Sequence, residues 1–198
     1  MEEARQVDVF TQIAGIGGAL VYDRRDNPLN PTEGYRLQGS VLWANPYMGG
    51  SNHFLKFNLS TQWFISLPKS ITLALALRYD HAVPVGSIQL PKVERFYAGG
   101  DTTIRGLEQD MAWTEVLETA VAPYAGAPLF QIRPQGGNIR LLTNVELQFP
   151  IFKEMPVLTL PLMGAVFFDN GMVTNSWSAF EADDFRHGIG FAWRLVTP

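Results

Sequence analysis

Most of the residues whose types and spacing could do chemistry fall within residues 96–110, FYAGGDTTIRGLEQD. Gly99 and Gly100 are followed by Asp101, then by Ile104, Arg105, Gly106 and Leu107, with Glu94, Glu108 and Asp110 adding carboxylates around them. A glycine-rich loop can cradle phosphate, but a phosphate loop needs Gly-x4-Gly-Lys-Ser/Thr opening a helix. Here no lysine follows the glycines and no helical period begins, so phosphate chemistry of that kind is excluded.

Catalysis fares no better. Hydrolases of the triad kind need a nucleophile with histidine and acid partners, and neither Ser-x-x-x-His nor Gly-x-Ser-x-Gly occurs. His53, His81 and His187 lie far apart, without the spacing of metal ligands, and there is no cysteine for a thiolate site or a disulfide. Glu115, Glu118, Asp183 and Asp184 read as solvated loop carboxylates. The expectation is a protein that is not an enzyme and uses no cofactor and no metal. A net charge of −4 with scattered cations offers no footprint for nucleic acid.

The elements that must position these residues are strands. Hydrophobic residues make up 46% and charged residues 17% of the chain, with 18 glycines, 13 phenylalanines and 13 prolines, a balance that suits strands and turns. No run approaches the ~18 apolar residues of a membrane helix, and residues 1–6 do not read as a signal sequence. Apolar and polar residues alternate instead. Leu37, Val41 and Trp43 oppose Arg36, Gln38 and Ser40; Leu55, Leu59 and Trp63 oppose Lys56, Asn58 and Gln62; Leu75, Leu77 and Tyr79 oppose Ala76, Arg78 and Asp80. The pattern resumes with Val145 and Leu147 against Asn144 and Glu146, Val166 and Phe168 against Ala165 and Asp169, and Phe191 and Trp193 against Ala192 and Arg194. With a curved, glycine-rich stretch over residues 9–21, seven strands are expected. Residues 83–136 break the pattern as one long loop, with a short helix expected over residues 111–122.

These strands reach the ~9–11 residues that cross a hydrocarbon layer when tilted, beyond the ~5–6 usual in soluble sheets. Large aromatics toward strand ends on the apolar faces fit an interfacial girdle, and charged residues among small ones on the opposite faces fit a wet lumen. The fold class predicted is all-β: an antiparallel transmembrane β-barrel of about seven or eight strands per chain, one domain over residues 1–198. An odd count implies either further strands beyond residue 198 or closure with another chain.

Three elements resemble, in order, the carboxy-terminal barrel portion of the BamA- and TamA-type outer-membrane assembly proteins, a superfamily that also includes two-partner secretion transporters. Residues 26–34 (DNPLNPTEG), with Asp26, Asn27, Pro28, Pro31 and Gly34, resemble its periplasmic turn. Residues 99–107 (GGDTTIRGL) resemble its (V/I)RG(F/Y) loop motif, with Leu107 where the family has an aromatic, and residues 166–171 (VFFDNG) its aromatic-x-Asp-x-Gly strand end. The resemblance implies a bacterial outer-membrane location, contact with outer-membrane lipid, and client β-barrel or secreted proteins as partners. The chain lacks the family's POTRA repeats and about the first half of its barrel, so it is either an excerpt or a short member in which two copies could share one barrel. The resemblance also implies that the long loop folds into the lumen with Arg105 meeting acidic wall residues. Strand parity makes Asp169 and Glu146 the candidates, since both share the lumenal face, and a guanidinium fork suits carboxylates.

Overall fold

The computed structural model describes residues 11–86, 90–119, 129–152, 160–179 and 181–195. Among these residues there are nine strands: β1 (Gly15–Asp23), β2 (Gly34–Ala44), β3 (Phe54–Leu67), β4 (Ile71–Pro84), β5 (Thr114–Thr119), β6 (Leu129–Pro134), β7 (Ile139–Phe152), β8 (Leu162–Thr174) and β9 (Arg186–Leu195), all but β5 and β6 in the segments expected as strands. Seven form one sheet in the order β1-β2-β3-β4-β7-β8-β9, and β5 with β6 forms a separate hairpin inside the long β4–β7 connection. All pairings are antiparallel. The fold is that of a transmembrane β-barrel wall, with β1 and β9 paired on one side only among the described residues.

The two faces separate as the alternation requires. Leu20, Leu59, Trp63, Leu77, Val166, Ile189, Phe191 and Trp193 all point outward and are exposed, Ile189 reaching 80%. For a soluble sheet such a surface is a liability; in hydrocarbon it is the favourable one. Tyr35 stacks on Trp63 with centroids 4.9 Å apart near the end of the short turns, while Tyr79 stacks on Trp177 at 6.1 Å toward the end of the long loops.

Register sets the inner face in rows. Ser40, Asn58, Asp80 and Arg140 stand side by side across β2, β3, β4 and β7. Beyond Gln38, Ser60 and Arg78 comes the row Gln62, Ala76, Asn144, Asp169 and Gly188, and then Phe64, Ala74, Glu146, Phe167 and Gly190. What packs as a core is the lumen filling. Ala44, Phe54 and Ala82 of the wall bury Leu90 and Phe96 of the loop, and Leu142 and Val173 bury Ala98, Ile104 and Ala112.

Three expectations need correction. Residues 114–119 of the expected helix are strand β5: Thr114, Val116 and Thr119 are β-branched and pair with β6, a partner that local periodicity cannot reveal; residues 120–122 lie outside the described residues. The glycine-rich strand starts at Gly15, its expected residues 9–10 lying outside the description. Finally, the alternation read as far as Asp80 and Asp169 continues as strand to Pro84 in β4 and to Thr174 in β8, because their far ends are covered by the loop and lose the clean pattern of a wall with lipid on one side. The β7–β8 turn at residues 153–159 lies outside the description.

Candidate functional site

The loop over residues 90–113 turns back along the inner face, and its own backbone shapes the tip. Gly99 has φ +117°, and a Cβ there would strike the Glu108 carbonyl, so the left-handed turn and the close return of the chain both require glycine. Thr103 locks the turn: its hydroxyl donates to the Gly99 carbonyl at 2.8 Å and accepts from the Gly99 amide at 2.9 Å. The Gly100 amide donates to Leu107 O at 3.0 Å, and Gly100 bridges to Ile104. Ile104 is fully buried, and Leu107 packs against the same cluster as Trp113. Asp101 and Gly106 are exposed, and Asp101 takes no part in the ion cluster described next.

With the backbone fixed, Arg105 projects onto β7 and β8. Its Nε donates to Asp169 Oδ2 at 2.7 Å and its Nη2 to Asp169 Oδ1 at 2.8 Å, a two-pronged contact, while its backbone amide donates to the same carboxylate at 3.0 Å. Its Nη1 donates to Glu146 Oε2 at 2.6 Å. Asp169 and Glu146, the candidates named from the resemblance together with strand parity, are the two carboxylates that the guanidinium meets. Hydrogen bonding to Asp169, and secondarily to Glu146, raises the Arg105 pKa above its ordinary value against the opposing effect of burial.

Several members of the cluster were not anticipated. Phe167 lies under the guanidinium, 3.5 Å from Cζ to ring centroid. The Asn144 amide donates to Asp169 Oδ1 at 2.8 Å and to Thr103 O at 2.9 Å, joining wall to loop. Arg194 and Gln148 donate to Glu146 Oε1 at 3.0 and 2.9 Å. Gly188 of β9 lies against the Arg105 carbonyl, which a Cβ at that position would strike. Phe167, Asn144 and Gly188 carry a signal only once register is known, since each sits beside Asp169 or Glu146 on a neighbouring strand.

The loop has a second anchorage at its root. Lys56 Nζ donates to Glu94 Oε2 at 3.0 Å and lies 4.7 Å from the Phe96 ring centroid. Arg140 donates to Asp80 Oδ2 at 2.8 Å through Nε and to Tyr97 O at 2.6 Å through Nη1.

At the opposite end of the wall, the β1–β2 turn is closed by its own side chains. Pro28 and Pro31 have no amides to satisfy, Asn27 Oδ1 accepts from Leu29 N and Asn30 N, and Asp26 accepts from Thr32 N, Thr32 Oγ1 and Glu33 N. Gly34 opens β2 at φ +101°. Desolvation opposes ionisation of Asp26, yet these hydrogen bonds, led by the Thr32 hydroxyl, hold its pKa down to about 2.

Comparison with known proteins agrees with this architecture. Over 163 residues the chain is 27% identical to the protein named outer membrane protein assembly factor BamA of Neisseria meningitidis serogroup B (strain ATCC BAA-335 / MC58), covering 82% of this chain and 18% of that protein. The crystal structure of BamA from Haemophilus ducreyi lacking POTRA domains 1–3 superposes with a TM-score of 0.71 at 19% identity, covering 92% of this chain and 36% of that one. The chain therefore spans only a minor part of either relative. The model of the Omp85 superfamily domain matches residues 6–198. This chain belongs to the Omp85 superfamily and is a β-barrel protein of the bacterial outer membrane.

Proposed function

We propose that this chain is a non-enzymatic barrel component that assists the assembly or export of other outer-membrane proteins by lateral strand pairing. The observation carrying this reading is the state of β9. Its inner face is held by the latch, through Gly188 under Arg105 and through Arg194 on Glu146, while its far edge has no partner strand among the described residues. An edge strand exposes N–H and C=O groups that template an incoming strand, and in lipid those groups must be paired. Clamping β9 from the lumen keeps that template in a fixed register. Superfamily membership and a relative named as an assembly factor support the same reading.

The test is site-specific photo-crosslinking in vesicles during insertion of an unfolded client barrel. A photoreactive residue replacing Ile189 on β9 should capture the client, and one replacing Leu59 on β3 should not. Equal capture at both positions, or capture at neither, sinks the reading. The alternative reading is a passive pore or structural barrel without insertase activity, built as a shared barrel from two copies. That arrangement predicts a detergent-solubilised species of twice 22.1 kDa and crosslinks from Ile189 to β1 of a second copy.

A further inference from the structure

Another part of the inner wall carries charge that the latch does not use. Gln38 of β2, Ser60 of β3 and Arg78 of β4 stand in one row by register, adjacent to the row of Asn58, Asp80 and Arg140. Together these six residues line a lumenal cavity of about 230 Å³. Most of their polar capacity is spoken for. Asp80 Oδ1 accepts from Asn58 at 2.7 Å, Asp80 Oδ2 accepts from Arg140 at 2.8 Å, and Arg140 also donates to Tyr97 O. Gln38 Oε1 accepts from Arg36 at 3.2 Å, which leaves the Gln38 amide hydrogens uncommitted.

Arg78 is half-buried in this cavity and has no hydrogen bond or ion pair among the described residues. The contrast with the latch is one of charge balance. Arg105 and Arg194 face Asp169 and Glu146 there, so cations and carboxylates cancel. Among the described residues, Arg78 and Arg140 face Asp80 alone here. Two guanidiniums beside one carboxylate in a partly desolvated wall leave a positive charge that favours an added anion. Among the described residues the donors still free are the Arg78 fork, the Ser60 hydroxyl and the Gln38 amide, a planar two-pronged donor with neutral groups beside it.

We propose that this cavity is an oxyanion-binding site, with Arg78 gripping two oxygens of a carboxylate or phosphate group and Ser60 and Gln38 donating at its edges. A guanidinium matches either group with two parallel hydrogen bonds. The site lies one row away from Asn144 and Asp169 and shares no side chain with the latch, so it stands apart from any role in strand pairing.

Calorimetric titration of the refolded chain in uncharged maltoside micelles, with inorganic phosphate at low ionic strength, tests the site. Saturable uptake of one phosphate per chain is expected. Arg78→Gln should raise the Kd about tenfold or more, and Lys92→Gln, which removes an exposed loop cation, should leave it unchanged. Arg78→Lys keeps the charge but loses the fork, so its Kd should fall between the two; it also serves if Arg78→Gln fails to give a folded barrel. Competition by acetate would identify carboxylate as a ligand the site accepts, and phosphate uptake insensitive to acetate would restrict it to phosphate groups. No saturable uptake by the unaltered chain, or the same Kd in Arg78→Gln and Arg78→Lys as in the unaltered chain, overturns the proposal.

Discussion

The guanidinium of Arg105 reaches two carboxylates, one of them, Asp169, with no exposed side-chain surface. Removing it strands a buried negative charge, and breaking a buried pair from one side costs about 3–5 kcal/mol. Arg105→Ala should therefore lower the temperature at which the folded band is lost on electrophoresis, and should open residues 96–110 to protease. Arg105→Lys retains charge without the two-pronged geometry and should fall between Ala and the unaltered chain. If melting and proteolysis are both unchanged in Arg105→Ala, the latch has no mechanical role. Gly188→Ala probes the other side of the same contact: its methyl must displace the Arg105 carbonyl, at about 1–3 kcal/mol for overpacking, measured by denaturant unfolding in micelles. At this scale Arg105, Asp169 and Glu146 were legible in the sequence, through the resemblance of the loop motif and through strand parity, which is a local property, whereas the pairing of Arg194 with Glu146 was not. Phe167, Asn144 and Gly188 were not, because an aromatic, an amide and a glycine on a strand have many ordinary uses, and only cross-strand register brings them to Arg105.

The strands and turns were more legible than the loop. Leu55 to Ile65 and Leu73 to Tyr79 alternate cleanly because one side of the wall meets hydrocarbon and the other meets water, so each residue answers to one environment. That rule fails where the loop packs on the wall: Met172 and Val173 are adjacent in β8 and both buried. Strand β5 escapes a sequence reading for a related reason, since strand pairing is a non-local property and residues 111–122 taken alone resemble a short helix. The β1–β2 turn supplies a prediction for its element. Asp26 has its pKa lowered from 3.8 to about 2 by the hydrogen bonds that close the turn. The folded turn thus binds the proton more weakly than the unfolded chain; this stabilisation is complete above pH ~4 and is lost as pH falls toward 2. Amide exchange at Thr32 and Glu33 should accelerate over that window, and Asp26→Asn should abolish the pH response there. Flat protection of both amides from pH 4 to 2 in the unaltered chain would show that Asp26 does not hold the turn.

Across the whole molecule the loop is held at two places, by Lys56 and Arg140 at its root and by Asp169 and Glu146 at its tip. Two anchors on one segment make their losses non-additive, because each single release leaves the loop docked by the other. Lys56→Ala alone should change protease cutting of residues 96–110 little, and the double variant Lys56→Ala with Arg105→Ala should exceed the sum of the single effects. Simple additivity would mean that the two anchors act on separate structures. The position of the tip also imposes a sequence of events. Arg105 and Asp169 are separated by 64 residues, and the loop meets β7, β8 and β9 from the side that becomes the interior. A sheet that curls around a segment must admit that segment before its rim comes together, and a contact spanning so much chain forms late and slowly. Docking of the loop is thus a matter of topology as well as energy: the Arg105 carbonyl packs on Gly188 of β9 from inside, so a wall that came together with the loop outside would leave Asp169 and Glu146 without the guanidinium that meets them.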